Sequence, residues 1–161
     1  MTKSGLAPRI AIAQEDPAQP AILTLIRAAD AYLEGLYPPE ENYLLDIAQL
    51  QEPNVTFLVA RLEGEAVGCG ALVRYAGYGE VKRMFVDPDR RGLGIGRRLI
   101  RQLEQVAAAA KLKLLRLETG TRQPEALGLY RAIGYVERGP FGDYRAGEFS
   151  LFMEKRLGKT E

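Results

Sequence analysis

The stretch VKRMFVDPDRRGLGIGRRLIRQLEQVAAAA, Val81 to Ala110, constrains the fold more than any other part of this chain. It opens as an apolar strand, Val81 to Val86, and stops at Asp87-Pro88, because proline lacks the donor that a ladder needs. A glycine loop follows, Arg91-Gly92-Leu93-Gly94-Ile95-Gly96. The helix after it carries Leu99, Leu103, Val106 and Ala110 on one stripe, with Ile100 and Ala107 beside it. Strand, glycine loop and helix together aim backbone N–H groups and a positive helix end at one point. A pyrophosphate suits that point.

The charges sharpen this. Arg97, Arg98 and Arg101 crowd the first turns of the predicted helix, and Arg90 and Arg91 stand just before it. Each cation opposes the helix dipole by about 0.3–1 kcal/mol. A sequence shaped by stability alone puts Asp or Glu there. A bound polyanion reverses the sign of that term, so the cluster reads as an anion site; the plain alternative is a solvated basic face.

Composition narrows the chemistry. The chain has 161 residues, enough for one domain (1–161) with its own core, and its net charge of +1 argues against a nucleic-acid partner. It contains no histidine, which removes Ser-His-Asp and Cys-His nucleophile systems and any His-based metal site; no metal is expected. Proton transfer then falls to Glu, Asp, Tyr, Lys, a thiol or water. Cys69 is the lone cysteine, in Gly68-Cys69-Gly70, and reads as a small buried filler. The N-terminus has no apolar signal region and no run approaches the ~18 apolar residues of a membrane span, so a cytoplasmic protein with no membrane partner is expected.

In order, Arg9 to Gln14 reads as a strand. A helix follows from Asp16 as N-cap and Pro17 at its first position, carrying Ile22, Leu25, Ile26, Ala29 and Leu33 before Pro38-Pro39. Glu40 to Leu50 reads as a second helix. Val55 to Arg61 and Ala66 to Tyr75 form a hairpin around Glu63-Gly64-Glu65, and Ala76-Gly77 leads into the central strand. Past the central helix come a strand (Leu112 to Thr119), a helix (Pro124 to Ile133), a strand at Val136, a Gly-rich loop (Gly139 to Gly147) and a last strand (Phe149 to Lys155). This order predicts an α/β fold with a mixed, twisted sheet of about six to seven strands and four helices.

The glycine loop lacks the Lys-Ser/Thr of a Walker loop, and Arg97 stands where the dinucleotide fingerprint needs its third glycine. The pattern that fits is R-x-x-G-x-G, Arg91 to Gly96. Farther on, Ala126 to Tyr135 (ALGLYRAIGY) reads A-x-x-L-Y-x-x-x-G-Y. With these two motifs the chain resembles the GNAT superfamily of acyl-CoA-dependent N-acetyltransferases, whose element order it shares. It departs from the family at Gln123, where Asn is usual.

The resemblance implies acetyl-CoA as co-substrate and an amine acceptor, with direct transfer in a ternary complex. It implies that the backbone of Met84, Phe85 and Val86 accepts the pantetheine arm, and that Arg91, Gly92, Leu93, Gly94, Ile95, Gly96 and Arg97 hold the pyrophosphate. Tyr130 is implied as the group that hydrogen-bonds and protonates the departing thiolate, Glu80 as the base, and Tyr37, Glu40 and Tyr43 as the acceptor-side elbow. A homodimer is possible by the same resemblance.

Glu118, on the adjacent predicted strand, is a second candidate base. Arg122 can meet an acceptor carboxylate, whereas Glu40 and Glu41 favour a cationic acceptor; both readings stand. An enzyme that transfers acetyl to a primary amine is the leading function. A non-catalytic acyl-CoA-binding sensor is the alternative, and a dinucleotide-binding module is a third that Arg97 already disfavours.

Overall fold

The computed structural model describes residues 9–42 and 44–158. Its frame is one seven-stranded sheet in the order β1-β2-β3-β4-β5-β7-β6, from β1 (Ile10–Gln14), β2 (Val55–Leu62), β3 (Glu65–Tyr75), β4 (Tyr78–Val86), β5 (Leu114–Gly120), β6 (Val136–Arg138) and β7 (Ser150–Arg156). All neighbours are antiparallel except β4 and β5, which run parallel because α3 (Ile95–Ala109) crosses between them. α1 (Pro20–Glu34), α2 (Ile47–Leu50) and α4 (Pro124–Ala132) complete the four helices. Among the described residues no helix is long and apolar enough to cross a membrane.

Two cores flank the sheet. Leu99, Leu103 and Ala107 of α3 pack with Leu72, Leu115 and Met153 on one face. On the other face, Ile22, Ile26 and Ala29 of α1 pack with Phe57, Val59 and Phe85. The inward stripe of α3 therefore runs Ile95, Leu99, Ile100, Leu103, Ala107; Val106 is only half-buried and Ala110 is exposed. A helix advancing 3.6 residues per turn carries the seam onto Ala107, and α3 ends before Ala110.

Three local expectations change. The first helix starts at Pro20 rather than Pro17. The Asp16 carboxylate is spent on a turn, accepting from the Ala18 N–H at 3.0 Å and from Gln51 Nε2 at 3.0 Å, while Pro20 takes the position where a missing N–H costs nothing. The predicted helix from Glu40 to Leu50 breaks up. Pro38-Pro39 permits one 3₁₀ turn (Pro39–Glu41), the backbone is extended at Asn42, and Asp46 with Gln49 forms a capping box (2.8 and 2.9 Å) that starts α2 afresh. The strand expected from Leu112 starts at Leu114.

Two features of β4 position the cleft. Opposite Gly70 the ladder with β3 slips, so that Cys69 pairs with Phe85 but Ala71 with Lys82. The extra residue is taken up at Arg83, whose φ is +58°. The bulge reverses phase: Val81 and, past it, Met84 and Val86 face the α3 side, and Phe85 turns to the α1 side. A Cβ at Gly70 would lie 2.6 Å from the Met84 sulfur, so any larger residue there has to push that side chain aside. The second feature is separation. The β4–β5 ladder comprises only Gly79↔Leu115, Glu80↔Arg116 and Val81↔Leu117, and beyond it the two strands part.

Candidate active site

Where β4 and β5 part, a cleft of about 420 Å³ opens through the sheet. Its walls are the released ends of both strands, Val81–Val86 and Glu118–Gly120, with α1 above and α4 below. The backbone polar groups on that side of β4 have no β5 neighbour in the ladder, so an extended ligand can pair with them as an added strand.

One end of the cleft is the glycine loop. Gly92 and Gly94 have φ of +86° and +79°, and a Cβ at either would meet nothing within 4 Å, so the backbone lies open for a ligand to approach. Gly94 is the N-cap of α3 with no side-chain cap, and the first turn carries no acidic residue. The leading N–H groups of a fifteen-residue helix thus have no side-chain cap among the described residues. Arg90, Arg91 and Arg97 line the cleft beside them. Arg98 and Arg101 do not: both are exposed on α3 away from it, so three of the five arginines converge. Arg90 also pairs with Glu65 at 2.8 Å, and Arg91 sits over the Tyr32 ring at 5.4 Å. This end fits a pyrophosphate.

The other end is acidic and aromatic. The Glu118 carboxylate accepts from Ser150 Oγ at 2.8 Å. Burial pushes its carboxyl above the usual value, a shift that the Ser150 hydrogen bond and the Lys82 ammonium oppose and that Glu80 and Glu41 increase. Glu41, Asn42, Tyr37 and Phe149 line the same end.

The Tyr130 ring is 5% exposed and packs edge-on to Tyr135, centroids 5.8 Å apart. Its hydroxyl makes no hydrogen bond with another described residue, yet no buried side-chain oxygen or nitrogen among them is orphaned. The hydroxyl is therefore open to the cleft. Burial raises it well above its ordinary pKa, and Glu118 adds to the shift.

Most residues singled out from the sequence meet at this cleft. Met84, Phe85 and Val86 form its floor, and Arg91, Gly92, Gly94, Ile95, Gly96 and Arg97 its anion end; Tyr37, Glu118 and Tyr130 complete it. Leu93 points elsewhere and is 40% exposed. Glu40 is exposed and lines no part of the cleft, the neighbouring Glu41 taking that place; Tyr43 lies outside the described residues. Arg122 is also not at the cleft. Its guanidinium donates to the Leu36 carbonyl at 2.7 Å and stacks on Phe149 at 4.6 Å, tying the α1 end to β7.

Glu80 is buried behind the wall. Tyr144 Oη donates to its Oε2 at 2.5 Å, and Lys82 Nζ is 3.6 Å from the same oxygen. Sequence reasoning did not join Tyr144 to Glu80 and Lys82. Lys82 was legible in principle, since Glu80 and Lys82 alternate onto one face, but Tyr144 comes from a loop whose path only packing decides.

Gln123, in place of the usual Asn, uses its longer arm to accept from the Tyr37 hydroxyl at 3.2 Å, while that hydroxyl accepts from the Arg122 N–H at 2.9 Å. The Tyr37 ring leaves no room for a Cβ at Gly120. Gly120→Ala should therefore cost about 1–3 kcal/mol of stability. Thermal melts check this, and an unchanged Tm would show that Tyr37 is free to swing aside.

Cys69 is fully buried with its thiol pushed up to about 12 by burial, which leaves no reactive thiolate.

A family model described as the acetyltransferase (GNAT) family matches residues 22–135. A protein of Azospirillum brasilense named IAA acetyltransferase is 52% identical over 152 residues, covering 93% of this chain and 99% of its own. A solved structure of a Klebsiella pneumoniae protein assigned to the acyl-CoA N-acyltransferases superposes with a TM-score of 0.81 at 39% identity, over 92% of this chain and 97% of that one. The fold is shared as well with the paia N-acetyltransferase of Thermoplasma acidophilum, solved in complex with coenzyme A (TM-score 0.71, 20% identity, 92% of this chain and 99% of that one).

Proposed function

The chain belongs to the acetyltransferase (GNAT) family, and from that premise we propose that it moves an acetyl group from acetyl-CoA to a primary amine, in a ternary complex within the cleft between β4 and β5. The observation that carries this reading is the joining, in one cleft, of an uncapped helix N-terminus with three arginines to the half-buried Glu118 carboxylate and a buried phenol, Tyr130, with no hydrogen-bond partner among the described residues.

Acetyl-CoA is the family's co-substrate and supplies a thioester carbonyl; a C–N bond replaces the C–S bond. The α3 N–H groups and Arg91 and Arg97 bind the pyrophosphate. The backbone of Met84, Phe85 and Val86 aligns the pantetheine arm, and an N–H there polarises the carbonyl.

Glu118 takes the amine proton. Bringing an amine of pKa ~10.4 to its neutral form at pH 7 costs about 4–5 kcal/mol without a base. A carboxylate whose pKa is raised by burial is better matched to that task than an exposed one. Tyr130 donates a hydrogen bond to the sulfur as charge develops on it. With its pKa so far above the ~8.5 of a thiol, it keeps its proton, and the thiolate takes one on release. Tyr37 and Glu41 border the acceptor.

The test is direct. The protein is mixed with acetyl-CoA and a panel of amines, to which IAA, the compound in the Azospirillum relative's name, is added. Free thiol should appear with at least one acceptor. Binding of acetyl-CoA without any thiol release would favour a sensor instead.

A further inference from the structure

We infer that Glu80 acts on Glu118 at one remove: through Tyr144 it fixes the Lys82 ammonium on the wall of the cleft that Glu118 faces. The inference rests on the reading of Glu118 as the base and makes Glu80, Tyr144 and Lys82 positioning residues.

Register supplies the geometry. The last paired positions of β4 and β5 are Glu80↔Arg116 and Val81↔Leu117, so the next step along both strands brings Lys82 opposite Glu118 just where the sheet divides. Both line the cleft. The Lys82 side chain is 11% exposed and that of Glu80 5%, so this is a desolvated pair in which a displaced charge has few other places to go. Left alone, the ammonium would close on Glu80 and draw away from Glu118.

Tyr144 prevents that. Its hydroxyl accepts from Lys82 Nζ at 2.6 Å and donates to Glu80 Oε2 at 2.5 Å, standing between the two charges and holding them 3.6 Å apart. The ring is anchored from the β6–β7 loop against Phe141 and Phe152, with centroids 5.1 and 5.5 Å away.

The groups facing Glu118 come from every side. Lys82 favours its charged form; Glu80 from β4 and Glu41 from the 3₁₀ turn disfavour it. The hydroxyls of Tyr37, Tyr130 and Tyr144 also lie within its field. The signs of three substitutions follow. Removing Lys82 takes away the one favourable charge. Removing the Glu80 charge takes away a repulsive one. Removing only the Tyr144 hydroxyl leaves both charges in place but lets Lys82 fall back onto Glu80.

The experiment is a carbon-13 NMR titration of the Glu118 side-chain carboxyl in the whole chain, the resonance being identified by its loss in Glu118→Gln. Lys82→Met and Tyr144→Phe should move the midpoint up by ~0.5 pH unit or more, Glu80→Gln should move it down by a similar amount, and Lys82→Arg should keep it near the parent value. Each half unit is a threefold change in ionised fraction, which the acidic limb of kcat/KM should follow once an acceptor is found. A midpoint that stays fixed in Tyr144→Phe or in Glu80→Gln overturns the inference. So does a Glu80→Gln protein as inactive as Glu118→Gln, because Glu80 would then itself be the base. If Glu118→Gln retains full transfer, the base assignment fails, while the NMR midpoints still decide the linkage to Lys82.

Discussion

Glu118→Gln should lower acetyl transfer by about 10²- to 10⁴-fold while leaving coenzyme A affinity unchanged. The substitution keeps the shape of the side chain, and the amide oxygen can still accept from Ser150 Oγ, now at 2.8 Å from the carboxylate. What it removes is the capacity to accept a proton. The anion end of the cleft, built by α3 and the glycine loop, is untouched, so a calorimetric titration with coenzyme A should match that of the parent. Turnover within threefold of the parent would place the base elsewhere in the cleft.

Tyr130→Phe is expected to have the next largest effect, a loss of ~10²-fold in turnover. The hydroxyl has no hydrogen-bond partner among the described residues to strand, and the ring's edge-on packing with Tyr135 survives, so folding stability should change little. That separates the effect from a core defect. Because burial lifts this phenol well above its ordinary pKa, it keeps its proton at every working pH, and the proposed role is to donate a hydrogen bond to the leaving sulfur. Thiol release measured at saturating acetyl-CoA checks the loss; equal turnover in the two proteins would remove Tyr130 from the mechanism.

The half of the site that rests on one continuous stretch was legible in the sequence. Val81–Gly96 encodes strand, stop, loop and helix start through local rules, and the structure keeps all four. Tyr130 was reachable only through the resemblance carried by Ala126 to Tyr135, since a tyrosine at helical spacing by itself reads as core; Pro124 and the apolar spacing fix α4, not the role. The acceptor half was harder to read, for physical reasons. Glu41 rather than Glu40 faces the cleft because consecutive prolines give a single 3₁₀ turn instead of the helix that the apolar spacing suggested. Glu80 and Glu118 were both candidate bases, and that Glu80 is covered follows from Tyr144, a residue of a loop with no periodicity to read. Likewise, the sequence could count five arginines near the loop but not which turn of α3 faces the cleft.

The phase reversal at Arg83 and Gly70 has a consequence for how such a chain can diversify. Residues before the irregularity and residues after it answer to different neighbours, so a substitution at Lys82 alters the cleft wall that faces Glu118 without disturbing Met84 and Val86, which pack on the α3 side. If the proposed function holds, acceptor preference is then free to drift while the donor stays the same. Deleting a single residue at that spot would undo this independence, trading inside for outside along the whole far end of the strand.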